Sequence, residues 1–474
     1  MSRRFQKRPS KGRSKSQASQ QGKSNLPKNA APVRVKITHI GGRGDGVGTA
    51  EYSYQYQTKT HQVFVPDTLP GEEVIAQPTH INGQGIQGVL TELITSAPER
   101  KSPDCGASPR CGGCQFQHMS FDAYQMWKDS QIRHIFEKFN IEPHHWRTPF
   151  TASPQMRRRA RVAFRRRKDD VIIGFRERST HHIIFPEDCR ILAPALYEII
   201  IQLRDDILLC LHNGLFGEID ITLCDNGCDV SVHYDTSWPE EVMRDLTIKA
   251  ASSSIIRLTM IEKGTDPYLL FTSQTPAIRW TLPESASQSA ITLHPAPASF
   301  LQADRQAEQV MAHDIYEALS SCEMILDLFS GSGTLSAPLL FRDPAPRKIS
   351  AYDSGKDAIA CYEALAHQAG KSMQLDTNVR NLFHAPLTAK ELEAYDGVIL
   401  DPPRAGASAQ MPAIANSRIG HVIMVSCNPH SFAKDAALLL EGGYQCQWAR
   451  HIDQFLLTSH SEVIAYFTKQ VDDA

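Results

Sequence analysis

The chain has no apolar run near the roughly 18 residues that a membrane-spanning helix needs, and its first residues lack the apolar core of a secretory signal. These absences predict a cytoplasmic protein with no membrane partner. Acidic residues are missing from positions 1–28, which hold nine Lys and Arg. Apolar residues are almost missing there too, so burial cannot offset the entropy of ordering, and 1–31 reads as a disordered basic arm. A cytoplasmic setting also argues against a disulfide framework, so clustered cysteines among the eleven present read as metal ligands or catalysts. At 474 residues and 41% hydrophobic content the chain has enough material for several cores.

Three patterns follow the arm. Residues 32–95 hold short alternating runs (VRVKITHI, HQVFVP, EEVIAQ, GVLTELIT) between Gly and Pro turns, which predicts a small OB-like β-barrel. Gly83-Gln-Gly85-Ile-Gln-Gly88 matches the dinucleotide fingerprint in letters. It runs into the strand-like VLTELIT instead of opening a helix, so it reads as a hairpin. Residues 96–290 mix a probable helix over 118–140, with Tyr124, Trp127, Ile135 and Phe139 at helical spacing, with strands and a second helical pattern near 194–212. That is an α+β middle domain. Residues 291–474 alternate strand and helix (MILDLF, KISAYD, YDGVILD, HVIMVSC), as in a doubly wound Rossmann-like α/β domain.

Several constellations carry chemistry. Cys105-x5-Cys111-x2-Cys114 sits in a Gly/Pro loop unable to bury much apolar surface, and Cys189 in PEDCRIL is the best fourth ligand. Structural zinc sites usually bring two close cysteine pairs. The three-plus-one spacing fits an iron–sulfur cluster better, with zinc as the alternative. In DLFSGSGT the glycines allow a sharp turn and close approach to a ligand, but no Lys follows for phosphates and no full dinucleotide fingerprint is present. Asp353 ends the next strand, where a carboxylate suits ribose hydroxyls. A nucleoside without polyphosphate, with S-adenosylmethionine the common choice, fits this loop. Asp401-Pro-Pro-Arg404 follows the strand GVIL; it lacks the aromatic that amine-methylating enzymes stack on a base, and Arg404 suits a phosphate or carbonyl.

Cys427 in VSCNPHSF ends the next strand, and Glu462 in HSEVIAYF lies on the last one. Methylating carbon 5 of uracil needs a thiolate to add at carbon 6, a carboxylate to remove the carbon 5 proton, and a cation or donor near the pyrimidine oxygens. Cys427, Glu462 and Arg404 or Asn428 supply that set. Alone, Cys427 reads as a core thiol, and Glu462 as an exposed strand residue. The run RRRARVAFRRRK over 157–168 reads as an RNA-binding strand with Phe164 offered to a base.

These motifs give the chain a close resemblance to the class I RNA 5-methyluridine methyltransferases over about residues 33–470. ITHIGGRGDGVG and VFVPDTLPGEEV resemble a TRAM barrel. The match extends through the cysteine loop with Cys189, ASFLQAD, DLFSGSG, VILDPPRAGA, VSCNP and HSEVIAYF. The resemblance implies Cys427 as nucleophile and Glu462 as base, with Gln302, Phe329, Asp353, Asn381 and Asp401 contacting S-adenosylmethionine. It also implies a 4Fe–4S cluster on Cys105, Cys111, Cys114 and Cys189 in the middle domain. Three positions depart from the family pattern: Asp304 stands for Asn, Asp353 for Glu and Asn381 for Asp, the last two altering reach and charge at the cofactor. Family members that act on transfer RNA typically lack the cysteine loop and barrel, so 23S-type ribosomal RNA is the expected partner, with no obligate protein partner. The alternatives are a transfer-RNA methyltransferase and a catalytically idle RNA-binding or assembly factor.

Overall fold

In VRVKITHI every second side chain turns inward over the first turns of the strand Val33–Ile40, as the period of a pleated strand dictates. The computed structural model describes residues 24–469 apart from 28, 29, 55, 56, 179, 283–285, 288 and 289. Residues 1–23 of the expected basic arm lie outside the described residues. Ser24–Asn25 pairs with Glu73–Asn82, and Leu26 and Ala30 are buried, so the end of the expected arm is part of the barrel.

The chain divides into two compact units, residues 1–100 and 101–474. In the first, the strands Val33–Ile40, Gly46–Tyr54, Gln57–Val65, Glu73–Asn82 and Gly85–Thr95 close on themselves. Closure leaves no free edge. Val35, Val63, Val65, Val74 and Ile86 fill the interior. The glycine decoy is a hairpin, as its context predicts. Gly85 has φ +141°, and a Cβ there would lie 2.3 Å from the Gln62 carbonyl oxygen, so only glycine fits.

The larger unit holds two principal sheets. One has seven strands, in the order Ile183–Ile184, Val171–Arg176, Arg159–Arg166, Phe216–Cys224, Gly227–Tyr234, Ile255–Glu262, Tyr268–Thr272. The helix Pro194–Asp205 packs its apolar face into this sheet's core. The basic strand Arg159–Arg166 departs from the sequence reading. Phe164 is 1% exposed and meets Trp238 edge-on, so it cannot receive a base. Several arginines of the run turn inward. Arg158 pairs with buried Glu308 and donates to the Gln302 carbonyl, and Arg159 donates to the Leu301 carbonyl.

The other sheet runs Leu375–Val379, Lys348–Asp353, Met324–Leu328, Gly397–Leu400, His421–Ser426, Glu462–Thr468, Gln445–Asp453, with His145–Trp146 and Phe150–Thr151 on its edge. The first five are parallel. Strand order reverses between Met324–Leu328 and Gly397–Leu400, and at such a point a crevice opens beyond the carboxyl ends. Glu462–Thr468 runs antiparallel to both neighbours. Its first residue therefore sits at the carboxyl end of the strand that precedes Cys427.

The helix Phe121–Lys138 buries Tyr124, Lys128, Ile132 and Phe136. Its inner face is rotated from the expected one, because Lys128, 1% exposed, forms an ion pair with buried Asp453. Tyr124 donates to the same carboxylate at 2.7 Å.

Candidate active site

The crevice is a cavity of about 530 Å3. That is within the range of roughly 300–1,000 Å3 typical of small-molecule sites. Its walls bring together Gln302, Phe329, Asp353, Asn381, Asp401, Cys427 and Glu462, all the site residues expected from the sequence apart from the cysteine-loop set.

The glycine loop forms one wall. Phe329, at φ +63°, is a non-glycine residue in the left-handed region, held there by its N–H donating to the Tyr352 carbonyl at 2.9 Å. Such a conformation costs on the order of 1–3 kcal/mol and persists only where surroundings impose it. Gly333, at φ +75°, lies against Tyr362, whose ring carbon a Cβ would approach to 2.4 Å. Beneath the loop, burial pushes the Asp327 carboxyl up to about 7, and Ser336 donates a hydrogen bond to it. Asp353 accepts from the Gly331 N–H at 3.0 Å and from Gly355 N–H at 2.6 Å, which fixes its carboxylate at the strand end with lone pairs remaining. Asn381 accepts from Phe383 N–H at 3.1 Å and so turns its loop toward the cavity. Phe383 was not anticipated. Its ring lies 5.5 Å from that of Phe329, and its only signal in the sequence is an aromatic two residues beyond Asn381.

Opposite stand Cys427 and Glu462. The last pair of the strands His421–Ser426 and Glu462–Thr468, Ser426 with Val463, brings the next residue, Cys427, and the preceding one, Glu462, to the same end of the sheet, where both line the cavity. Cys427 is half-buried, facing the cavity, and Glu462 is 3% exposed. Asn428 caps the helix Pro429–Glu441 by accepting from His430 N–H at 3.2 Å, while its amide donates to the Arg404 carbonyl at 2.9 Å. The cysteine turn is thereby tied to the DPPR loop. Burial first, then the nearby Glu462 and Asp401, pushes the Cys427 thiol up to about 11, and Arg404 opposes this. Burial raises Glu462 to about 7 and Asp401 well above the carboxylate range.

Sequence reasoning missed Gln454. Its amide nitrogen donates to Glu462 and, at 2.6 Å, to Gln302 Oε1; its oxygen accepts from Ala303 N–H at 2.9 Å and Asp304 N–H at 3.3 Å. One buried amide thus joins the carboxylate to the FLQAD loop. Asp304 meanwhile caps the helix Arg305–Ala318, accepting from Ala307 N–H at 2.8 Å.

Cys105, Cys111, Cys114 and Cys189 line a separate cavity of about 190 Å3, beside Arg157. Burial raises the Cys111 and Cys189 thiols and pushes Cys114 up to about 12. No three of these sulfurs lie within 4.8 Å of one another; among the described residues only His313, Asp314 and Glu317 do so. That trio is an ion-pair network, with Arg147 on both carboxylates and Arg450 on Asp314.

The cavity, its glycine loop and the paired cysteine and carboxylate can be set beside known proteins. Residues 121–470 match the family described as tRNA (uracil-5-)-methyltransferase. An RNA methyltransferase of Brucella suis is 30% identical over 92% of this chain and 98% of its own. A 23S rRNA (uracil(1939)-C(5))-methyltransferase of Alteromonas naphthalenivorans is 28% identical over 93% and 90%. The Pyrococcus abyssi tRNA (uracil-54, C5)-methyltransferase, solved with S-adenosyl-L-homocysteine, shares the fold with a TM-score of 0.67 at 19% identity, covering 92% of this chain and 99% of its own. The family match spans both sheets of the larger unit and every residue of the cavity, and this chain belongs to the tRNA (uracil-5-)-methyltransferase family.

Proposed function

We propose that the protein methylates carbon 5 of a uridine in 23S-type ribosomal RNA through a covalent adduct on Cys427. The observation that carries this reading is that Cys427 and Glu462, flanking the Ser426–Val463 pair, line the same glycine-loop cavity. S-adenosylmethionine, the family's methyl donor, supplies an electrophilic methyl group when bound. The donor set fits it: Asp353 and Asn381 present polar atoms, and Phe329 and Phe383 an aromatic wall.

Cys427 Sγ, as thiolate, bonds to carbon 6, and the electrons of the 5,6 double bond move toward the carbon 4 oxygen. Carbon 5 then takes the methyl as the sulfonium's bond to it breaks. Glu462 removes the carbon 5 proton, the double bond re-forms and the thiolate leaves. Arg404 opposes the rise of the Cys427 thiol. Gln454 holds Glu462 aimed into the cavity.

We read the four-thiol cavity as an iron–sulfur site on the three-plus-one cysteine spacing, with Cys105, Cys111, Cys114 and Cys189 lining one cavity. Ribosomal RNA as substrate rests on the Alteromonas relative and on the cysteine loop. The Pyrococcus transfer-RNA enzyme matches nearly the whole chain, which keeps transfer RNA as the second reading. The closed barrel of residues 33–95 reads as a TRAM domain serving either RNA.

Mass-spectrometric mapping of 5-methyluridine in ribosomal and transfer RNA from a deletion strain tests both. We expect one ribosomal position to lose its mark and to regain it with wild type but not with Cys427→Ala. Loss only in transfer RNA selects the second reading, and no loss anywhere removes the enzyme reading.

A further inference from the structure

A second groove, of about 710 Å3, lies on the seven-stranded sheet, and none of its lining residues belongs to the catalytic cavity. Arg110, Arg165, Arg167 and Arg176 line it with His181 and His182, and Glu177 is the one carboxylate among its lining residues. Two of these arginines are neutralised, Arg110 by Glu177 and Arg176 by Glu218 at 2.9 Å. Arg165 and Arg167 are exposed and, among the described residues, have no carboxylate partner. The strand pairing sets Phe216 directly beside Arg165. The ring is 52% exposed, with the Arg165 guanidinium 5.6 Å from its centre.

An exposed phenylalanine beneath an uncompensated guanidinium, in a groove lined by four arginines and one carboxylate, gains little from the fold itself. Aromatic faces flanked by cations are how proteins hold single-stranded nucleic acid: the ring stacks on any base and the cations meet the phosphates. We infer that this groove binds a single-stranded RNA segment flanking the target uridine, with a base on Phe216 and phosphates on Arg165 and Arg167. The inference rests on the RNA-methylating reading for its ligand but not on the chemistry at Cys427.

The test is binding of a fluorescent, uridine-free RNA 12-mer to the full chain, by anisotropy across a salt series, for variants whose melting matches wild type. Phe216→Ala should weaken binding about tenfold, the loss of about 1.4 kcal/mol of base stacking, and Phe216→Trp should restore it. Arg165→Ala with Arg167→Ala should lower the salt slope by about 1.4, two phosphates at about 0.7 each. Cys427→Ala should bind as wild type. Unchanged affinity in Phe216→Ala, or an unchanged slope in the double variant, overturns the groove. Loss of the groove contacts with methylation intact at its expected position, or the reverse, tells which of the two proposals has failed.

Discussion

At the scale of single residues, the site turns on a carboxyl group kept out of water. Glu462 rises from 4.5 to about 7 because it is buried. A carboxyl whose folded value is raised binds its proton more tightly in the folded state, so its contribution is fully present below about 4.5 and is lost as pH climbs through 7. Glu462→Gln should therefore melt higher than wild type at pH 8, by up to ~3 kcal/mol of stability, converge with it at pH 4.5, and have no turnover. Calorimetry at the two pH values checks this. The hydrogen bond from Gln454 opposes the rise. Gln454→Met should move the acid limb of kcat to higher pH and lower kcat at pH 7 about tenfold, with the KM for RNA little changed. A pH–rate profile separates this positioning role from a merely structural one, which leaves the limb in place. Cys427 and Glu462 stood out in the sequence only through their joint occurrence with DLFSGSG and DPPR, and the structure brings both to one cavity. Gln454 was not legible there, because an amide that bridges residues 302 and 462 has no periodicity or spacing to betray it.

At the scale of elements, strands and their alternation could be read from apolar runs, but their neighbours could not. No local pattern announces that Glu462–Thr468 inserts between His421–Ser426 and Gln445–Asp453. The basic strand shows the same limit. Composition gave its charge, whereas the register decided that Phe164 points inward and that the ring on the surface is Phe216. Helix periodicity likewise could not anticipate Lys128 on an inner face, since only the distant Asp453 makes its burial tolerable. Lys128→Ala should cost about 3–5 kcal/mol by leaving Asp453 buried without its cation. Replacing both partners with apolar residues should recover much of that loss, as chemical denaturation of the three variants will show.

At the scale of the whole molecule, the cysteine loop and Cys189 come from segments 75 residues or more apart and meet in one cavity. Protein purified without air should absorb broadly in the visible. Cys114→Ser should lose the colour and melt lower, and a colourless protein containing zinc would refute the cluster. The two compact units meet at residue 100, five residues after the last barrel strand ends at Thr95.

The reversed strand has one more consequence. Because Glu462 opens a strand that lies between two others, the sheet around Cys427 is complete only with that strand in place. A chain cut before residue 462 loses an interior strand and with it the frame that presents the thiol. Truncation therefore removes the sheet along with the carboxylate, and only a point substitution such as Glu462→Gln separates the two.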